Sequence, residues 1–560
     1  VRAGTSPLLF ALPQPLAQGD STELEFSFSC DGYELYGDDV RMSRWFPRLW
    51  WDGLPAHESY RVKVDHPDGY ALAISGRKSN EGWWILEGAD GCGLYLGKGM
   101  TRLERESAGV LVSILFREDQ EERARLCFDT ALDVISFNVE WLGFFPFDSL
   151  TIVPWYNRPY GGWPFSPAMP AIHGLEVTEE RYDFHFRWIT AHEIGHQYWG
   201  EYVLDGDDPS WLWIGLGVYT DRCYVDARGL SRDKHNGMMA RYTKAVPQFL
   251  DTTIDMPPAY KKRVEYDHNN VVVHGKGYSV ISALVFTIGK EKFDNAFRRC
   301  LKEYAGKRLS YRDFQRVCEE ESGEDLEWFF SQWIRSNGYL AYDIADVERS
   351  MHGDNHISLV IIKRRGTIDM PVPVVAAFAD GSKQEQRTSR LLETQVLRFE
   401  SDSALEVVEI DPAGELPMIR EEIAIAPDQL FDIIADLPWT GGGERDLNAY
   451  TRAVELNFDS ARSWMKLGMN LFGDGYIEEA YDSFERYAGL KQDEPFALFL
   501  AHAWMGRLKD LQGKREEAIA HYRKALEFDD EFNTRHDQFK LQTNRETIEG
   551  YLKTPFTWEY

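Results

Sequence analysis

Residues 1–127 contain short runs in which apolar and polar residues alternate. Examples are Leu24–Phe28 and Gly109–Phe116, and turn residues such as Asp68 and Gly69 separate the runs. Alternation with a period of two is the pattern of strands that bury one face. The pattern therefore predicts an N-terminal antiparallel β domain over residues 1–127.

The pattern becomes helical in residues 128–340, where apolar residues recur every three or four positions. A stretch rich in Pro and Gly, 159–170, interrupts it. Alternating runs such as Ile357–Ile362 return in residues 341–415. We therefore predict a mainly helical domain followed by a second β domain.

Residues 416–560 are helical and internally repetitive. A glycine, an alanine and an aromatic residue recur at one constant offset: Gly468, Ala480 and Phe484, then Gly506, Ala518 and Tyr522. Small residues where two helices cross, with aromatic residues packed against them, are typical of tetratricopeptide helix pairs. We predict a helical tetratricopeptide-like domain, which either binds a peptide or protein partner or braces the preceding domains.

Composition narrows the range of partners. The 560 residues include 62 Lys and Arg against 91 Asp and Glu, which gives a formal net charge of -29. A strongly negative protein repels phosphate backbones, so we expect no nucleic acid partner. No apolar run approaches the roughly 18 residues that cross a bilayer, so no membrane insertion is expected. The negative charge favours cationic or neutral ligands, such as a free amino terminus, and the chain is expected to be a multi-domain α+β protein.

The 6 cysteines are scattered and form no C-x-x-C pair. This spacing favours buried free thiols in a reducing compartment over a disulfide framework or a cysteine zinc site. The first residues, Val1–Gly4, contain no apolar signal core. We expect a cytoplasmic protein, and the missing initial Met is compatible with processing or trimming.

Candidate chemistry is concentrated in the segment His192-Glu193-Ile194-Gly195-His196. His192 and His196 are four residues apart, so on a helix both imidazoles project from one face toward a single point. The Glu193 carboxylate lies beside that point, where it can take a proton from metal-bound water and return it to a leaving group. The alternative is a core helix with two hydrogen-bonded histidines.

The segment Ala191–Gly200 resembles the metal helix of the alanyl-aminopeptidase family, the gluzincin zinc peptidases of family M-one. Further segments are similar to family motifs: Trp211–Gly215 to W-L-N-E-G, Val273–Gly277 to V-Y-x-K-G, and Phe329–Trp333 to the end of its helical domain. The resemblance implies a β domain, a thermolysin-like catalytic domain, a β-sandwich and a helical domain, in the order of the predicted segments. It also implies zinc as the cofactor.

The departures from the family motifs fall on site residues. The family glutamate that completes the zinc site falls at Ile214, which has no lone pair to donate. A family tyrosine that steadies an oxyanion falls at His274, and the Gly-x-Met-Glu-Asn segment that anchors a substrate amino terminus is replaced by Gly161–Ser166. Since Trp163 and Pro164 provide no carboxylate there, ordinary aminopeptidase substrates are expected to be poor.

Three explanations of the site stay open, because two imidazoles without a third protein ligand hold zinc weakly. In the first, another residue completes the site, with His274 as first candidate and Asp208 or Asp221 behind it. In the second, the metal site is lost and a non-catalytic, peptidase-like binding protein remains. In the third, the pocket catalyses another reaction without zinc, using Glu193 and His274.

The sequence favours an atypical zinc metallohydrolase acting on a peptide-like substrate or a small amide, ester or epoxide. The third zinc ligand is not identified by this pattern. The predicted site residues are His192 and His196 for the metal, Glu193 and His274 for catalysis, and Trp163 and Tyr219 for substrate binding.

Overall fold

The computed structural model describes residues 17, 19, 21–30, 33–43, 45–46, 58–156, 160–207, 210–246, 253–255, 269–336, 338–420, 461–473, 475–492, 495–528 and 543–558. Within them the fold is mixed α/β, with N-terminal sheets, a helical middle and C-terminal helices, as the coarse fold class predicts. The chain divides into a first unit, Val1–Leu204 with Leu301–Arg308, and a second unit, Asp205–Cys300 with Leu309–Tyr560. The domain boundaries at residues 127, 340 and 415 stay predictions.

The N-terminal part of the first unit consists of antiparallel strands. One sheet has the order Glu34–Tyr36, Asp39–Met42, Leu94–Lys98, Tyr70–Ile74, and another has the order Glu58–Val62, Trp84–Ala89, Arg77–Lys78. One buried cluster contains side chains from both sheets: Ile74, Trp84, Cys92 and Leu94. Strands therefore occur in the region that alternation indicates, but the prediction at Leu24–Phe28 is wrong: this segment forms no strand and its side chains are exposed.

A mixed sheet supports the candidate site. Its strand order is Gly161–Ser166, Met169–His173, Ser149–Trp155, Val110–Phe116, Thr101–Ser107. Ser149–Trp155 is parallel to both of its neighbours and is buried along its whole length, as is usual for strands covered on both faces. The prediction of a mainly helical segment missed the strands between residues 149 and 173, because Ser149–Trp155 and Met169–His173 are buried along their whole length and therefore do not alternate.

The helices Glu121–Leu142 and Asp183–Tyr198 pack against each other in the first unit. Asp183–Tyr198 contains the histidine motif and is called the motif helix below. It also packs on the strands Gly161–Ser166 and Met169–His173. Short 3-10 turns precede the two helices: Glu118–Gln120 and Glu180–Tyr182.

The middle of the chain is helical. Its helices are Trp211–Ala227, Asp233–Ala245, Asn269–Lys276, Gly277–Ile288, Lys290–Glu303, Tyr311–Ser322 and Glu327–Trp333. Short strands also occur here: Leu204–Asp205 and Arg308–Leu309. Asn269–Lys276 is a π-helix that continues directly into Gly277–Ile288.

The stretch Asn269–Ile288 is long and apolar enough to cross a membrane by length and composition alone. The expectation that no apolar run approaches this length is therefore too strict. However, most of the stretch is buried inside the structure. Such burial is typical of a core helix, so the length criterion is weak evidence for a membrane span.

Antiparallel strands follow in the second unit. One sheet has the order Tyr342–His352, Asn355–Arg364, Thr394–Ser401, and another has the order Lys383–Arg387, Pro373–Phe378, Leu405–Ile410. The side chains of Pro373–Phe378 are largely buried, whereas Lys383–Arg387 alternates between exposed and half-buried positions. That alternation is the pattern of a strand with one solvent face.

The C-terminal helices form two consecutive pairs in the described part of the chain, followed by a last helix: Ala461–Gly473 with Ile477–Leu490, Pro495–Leu511 with Arg515–Ala525, then Arg545–Lys553. Glycines lie where each pair crosses. A β-carbon added to Gly506 would be 2.4 Å from Cε1 of Tyr522, and one added to Gly468 would be 3.0 Å from Cε2 of Phe484. The predicted contacts between small and aromatic residues are therefore confirmed.

Candidate active site on the motif helix

The motif helix is almost completely buried. Every residue from Trp188 to Trp199 is buried, and a helix buried on all sides belongs to a core. The helix ends at Tyr198, because Trp199 adopts extended backbone and Gly200 has a φ of 112°. Only glycine adopts such a φ without a steric cost, so Gly200 fixes the point where the chain leaves the helix.

The imidazoles of His192 and His196 converge on one point. Their Nε2 atoms are 3.2 Å apart, and the rings are nearly perpendicular, with planes at 83° and centroids 4.5 Å apart. Two nitrogens bound to one tetrahedral zinc ion, each at about 2.0–2.1 Å, are separated by about 3.3 Å. The two Nε2 atoms therefore have the separation of two ligands of a single metal ion.

Neighbouring groups fix the orientation of both rings. Nδ1 of His196 lies 3.3 Å from the carbonyl oxygen of Trp199, so the Nδ1–H group donates to that carbonyl and Nε2 keeps its lone pair. The Trp188 ring stacks on the His192 ring, with centroids 5.2 Å apart and planes at 25°. The rings are therefore held in place by contacts on the same helix and at its end.

The Glu193 carboxylate is buried on the same helix, next to Gly162. Glu193 is 3% exposed, and a β-carbon added to Gly162 would be 2.4 Å from its Oε1 and 2.5 Å from its Cγ. Any side chain at position 162 would displace the carboxylate. The sequence pattern indicates only a turn at Gly161 and Gly162, so it does not predict the contact between Gly162 and Glu193.

The strand Gly161–Ser166 is the last in the order of its sheet. Its Trp163 lies opposite Ala171 of the neighbouring strand, and Ala171 belongs to a buried cluster. Since consecutive strand residues point to opposite faces, Gly162 faces Glu193 and Trp163 faces away from it. Trp163 is 55% exposed, and its predicted role in substrate binding stays a prediction.

Aromatic contacts run from the surface to His192 along the motif helix. Tyr160 is 47% exposed, and its ring centroid lies 5.1 Å from that of His185. His185 contacts Trp188 at 5.7 Å, and Trp188 stacks on His192. Tyr160 precedes the strand Gly161–Ser166, and its contact with the helix is not visible in the sequence pattern.

Arg123 anchors the beginning of the motif helix. Its side chain is 2% exposed and donates from Nη1 to Oδ1 of Asp183 over 2.6 Å. Nε donates to the Val177 carbonyl at 2.8 Å, and Nη2 donates to the Glu179 carbonyl at 3.2 Å. The guanidinium also lies over the Phe186 ring, 4.5 Å from its centroid. These contacts connect the helix Glu121–Leu142 to the chain that leads into the motif.

Other predicted site residues belong to the second unit. Ile214 is 5% exposed and supplies only an apolar side chain at the position of the family glutamate. Tyr219 is 2% exposed, donates its hydroxyl to Oδ1 of Asp294 at 2.7 Å and packs on Phe293 with centroids 4.7 Å apart. These are the contacts of a core side chain, so we propose no substrate contact for Tyr219.

His274 lies on the π-helix and is half-buried. Its Nδ1 is 2.8 Å from the Asn269 carbonyl oxygen, so Nδ1–H donates and the lone pair resides on Nε2. The other third-ligand candidates are Asp208, which lies outside the described residues, and Asp221, which is buried and bonded to His235.

Zinc fits this arrangement only in part. His192 and His196 supply two nitrogens with a suitable separation. A catalytic zinc site normally has three protein ligands. Within the residues that the structure describes, no group of three or more His, Cys, Asp or Glu side chains is placed to hold a metal ion. His192 and His196 are therefore the residues that would hold zinc, and a third donor is not identified.

Comparisons with known families agree with the sequence resemblance. Residues 175–333 match the family described as Peptidase family M1 domain, and residues 501–532 match the family described as Tetratricopeptide repeat. The first match includes the motif helix from its start to its end, as well as Ile214 and His274. The two matches confirm the predictions of a peptidase-type segment and of C-terminal repeats.

Curated relatives are named as aminopeptidases. Aminopeptidase M1-B of Oryza sativa subsp. japonica is 27% identical over 165 residues, which are 27% of this chain and 17% of the relative. Aminopeptidase M1 of Arabidopsis thaliana is 25% identical over 167 residues, 27% of this chain and 18% of the relative. Aminopeptidase N of Streptomyces lividans is 23% identical over 262 residues, 45% of this chain and 29% of the relative. The chain thus matches less than a third of the length of each.

Proposed function

We propose that this chain, which contains a peptidase family M1 domain at residues 175–333, is an atypical metallohydrolase with Glu193 as its acid–base residue. Its substrate would be a peptide-like molecule or a small amide, ester or epoxide. The observation that supports the proposal most is the burial of Glu193 against Gly162, on the helix where two imidazoles converge. The M1 match itself suggests a metallopeptidase-like hydrolase.

Glu193 moves the proton in the proposed reaction. Its carboxylate accepts a proton from the attacking water and then delivers it to the leaving group, a role that typically contributes about a hundredfold to ten-thousandfold in rate. Gly162 leaves room for the carboxylate and fixes its position through close contact. Enclosure of the helix keeps bulk water from exchanging this proton.

His192 and His196 have the supporting role of holding the metal. Zinc bound there would supply Lewis-acid polarisation of the substrate carbonyl. The residues of this chain prepare the donors: the Trp199 carbonyl selects the His196 tautomer with a lone pair on Nε2, and Trp188 holds the His192 ring by stacking. Such outer contacts commonly affect metal affinity by about tenfold to a hundredfold.

The strand Gly161–Ser166 supports an extended substrate. A strand at the end of a sheet can bind a peptide by adding it as a further strand. Pro164 has neither an N–H donor nor a carboxylate, so this strand offers no anion to a substrate amino terminus. We therefore expect peptides with a blocked amino terminus to be hydrolysed at least as well as peptides with a free one.

The test is turnover of matched amide and ester substrates, with free and blocked amino termini, by the full chain with added zinc. We expect Glu193→Gln to lower kcat by about a hundredfold or more, because a neutral amide cannot accept the proton. Glu180→Gln, a substitution at an exposed glutamate just before the motif helix, is the matched control and should leave kcat unchanged. Absence of turnover in the wild-type protein, or full turnover in Glu193→Gln, contradicts the proposal.

The buried Ile214 favours a second candidate, a non-catalytic binding protein with a peptidase-like fold. This candidate predicts no turnover but retained binding of blocked peptides, measured by calorimetry, in both wild type and Glu193→Gln. A third outcome would distinguish an enzyme that works without zinc from the metallohydrolase and from the binding protein. Turnover that survives a chelator and is lost in His274→Ala would support catalysis by Glu193 and His274 without zinc, and would overturn the role of His192 and His196.

A further inference from the structure

Residues Thr554–Trp558, which we call the tail segment, follow the last described helix and belong to no helix or strand. Thr554 already has extended backbone, with φ of -128° and ψ of 129°. Along the segment, Phe556 is buried and Trp558 half-buried, whereas Thr554, Pro555 and Thr557 are exposed. From Pro555 to Trp558, exposed side chains therefore alternate with buried or half-buried ones, as in a peptide laid along a surface.

Phe556 is the central anchor of the tail segment. Its side chain is 4% exposed, and its ring centroid lies 5.5 Å from the Arg507 guanidinium carbon and 5.5 Å from the Tyr551 ring centroid. Its backbone N–H donates to Oδ2 of Asp510 over 2.8 Å. The protein thus binds both the side chain and the backbone of this residue.

Trp558 is the second anchor, two residues further along. Its ring contacts the Phe472 ring with centroids 5.3 Å apart and the Phe556 ring with centroids 6.4 Å apart. Phe472 in turn packs on Trp504 at 4.7 Å. The tail segment therefore contacts both helix pairs.

The receiving residues come from the first helix of each pair. Phe472 lies on Ala461–Gly473, and Arg507 and Asp510 lie on Pro495–Leu511. Helical repeats present the helices of successive repeats side by side as an extended binding surface. A surface that holds one extended peptide through two aromatic anchors and one carboxylate has the chemistry to hold another.

We propose that the tail segment is a ligand held in cis, and that the surface it covers binds an extended peptide of a partner protein with two aromatic side chains two residues apart. The tail is then an intrinsic competitor. Because it is tethered through the helix Arg545–Lys553, its effective concentration is on the order of millimolar. A partner peptide must displace it, so the tail raises the peptide concentration that is needed for binding.

The experiment uses the full chain and a fluorescein-labelled peptide with the sequence Lys-Thr-Pro-Phe-Thr-Trp, followed by fluorescence anisotropy. Phe556→Ala/Trp558→Ala removes the anchors of the tail and should bind the probe at least about tenfold more tightly than wild type, because the competitor is lost. Thr554→Ala/Thr557→Ala alters two exposed tail residues and is the matched control; it should bind like wild type. A probe with Phe and Trp both replaced by Ala should not bind.

Circular dichroism on heating accompanies each titration. A Phe556→Ala/Trp558→Ala protein that keeps the wild-type helical signal yet binds the probe no better than wild type overturns the proposal. A variant that loses its helical signal also overturns it, because the tail segment would then be a fixed part of the repeat core instead of a displaceable ligand. Removal of residues 554–560 repeats both measurements without aromatic substitution and should give the same gain in probe affinity.

Discussion

The protein contains a histidine pair in each of two very different surroundings. In the motif helix, Nε2 of His192 and Nε2 of His196 are 3.2 Å apart. In the helical repeat, Nδ1 of His502 and Nδ1 of His521 are 3.1 Å apart. The distance between nitrogens is nearly the same, so distance alone does not distinguish a candidate metal centre from a polar contact between helices.

The difference lies in the groups around each pair. The first pair is buried, shares its helix with a carboxylate, and has one Nδ1 bonded to a backbone carbonyl. The second pair is half-buried, with the Tyr481 hydroxyl 3.1 Å from Nε2 of His521. The charges of Lys524 and Lys509 lower the pKa values of His502 and His521 respectively, after burial as the main cause. Ammonium groups disfavour a cation, so the second pair is suited to a neutral hydrogen bond.

The largest predicted effect is on zinc affinity, which should depend on the histidine pair of the motif helix and not on the pair of the helical repeat. We expect His196→Ala to lower the zinc affinity of the full chain by about a hundredfold, because it removes one of two convergent donors. His521→Ala should change that affinity by less than about twofold. The affinities are measured by competition with a chromogenic zinc chelator.

The two variants act as controls for each other, since each removes one imidazole from a pair of equal spacing. Equal losses of affinity in the two variants would show that spacing alone decides zinc binding, and the contrast drawn from the surrounding charges would be wrong. No loss in His196→Ala would remove His192 and His196 as the metal ligands.

Close contacts at glycine offer a second comparison between the two regions. Gly162→Ala should destabilise the protein by about 1–3 kcal/mol, because the new methyl group overlaps the Glu193 side chain including its Cγ. Gly506→Ala should cost a similar free energy through overlap with the Tyr522 ring. Only Gly162→Ala should also lower turnover, since only that contact positions Glu193.

Gly237→Ala is the control for helix propensity. Gly237 lies within the helix Asp233–Ala245, and a β-carbon added there meets no atom within 4 Å. Alanine should therefore stabilise the protein by about 0.5–1 kcal/mol. Urea unfolding measures all three variants, and a stabilising Gly506→Ala would refute the proposed contact between the helices of the repeat.

Local patterns predicted the parts of this molecule that depend on local spacing. The i, i+4 spacing of His192 and His196 is sufficient to bring their rings together on a helix. The recurrence of Gly468 as Gly506 indicates a helix crossing that repeats along the chain. Such features need no knowledge of how distant segments meet.

The features that were missed depend on contacts between distant segments. Gly162 acquires its role only because its strand packs on the motif helix that contains Glu193. The strands between residues 149 and 173 were missed because a fully buried strand does not alternate. The sequence resemblance located the helix, while the structure defines which neighbours constrain its carboxylate.

The pH dependence of the repeat should give the smallest effect and tests the neutral state of the second pair. Burial, followed by the charges of His521 and Lys524, lowers the pKa of His502 to about 4. The unfolded chain binds a proton near pH 6.5, whereas the folded chain does so only near pH 4. Stability contributed by this group is therefore present above about pH 6.5 and is lost as the pH falls toward 4.

His502→Gln keeps a hydrogen-bonding group next to His521 but cannot titrate. Since His502 is only partly buried, solvent screening reduces the effect, and we expect the loss of stability between pH 7 and pH 5 to shrink by about 1 kcal/mol in this variant. Urea unfolding at both pH values measures it, with His352→Gln at an exposed position of the second unit as the control. An unchanged pH dependence in His502→Gln would mean that the ring binds its proton equally in the folded and unfolded chain. The second pair would then tolerate a positive charge, and the contrast in charge between the two pairs would fail.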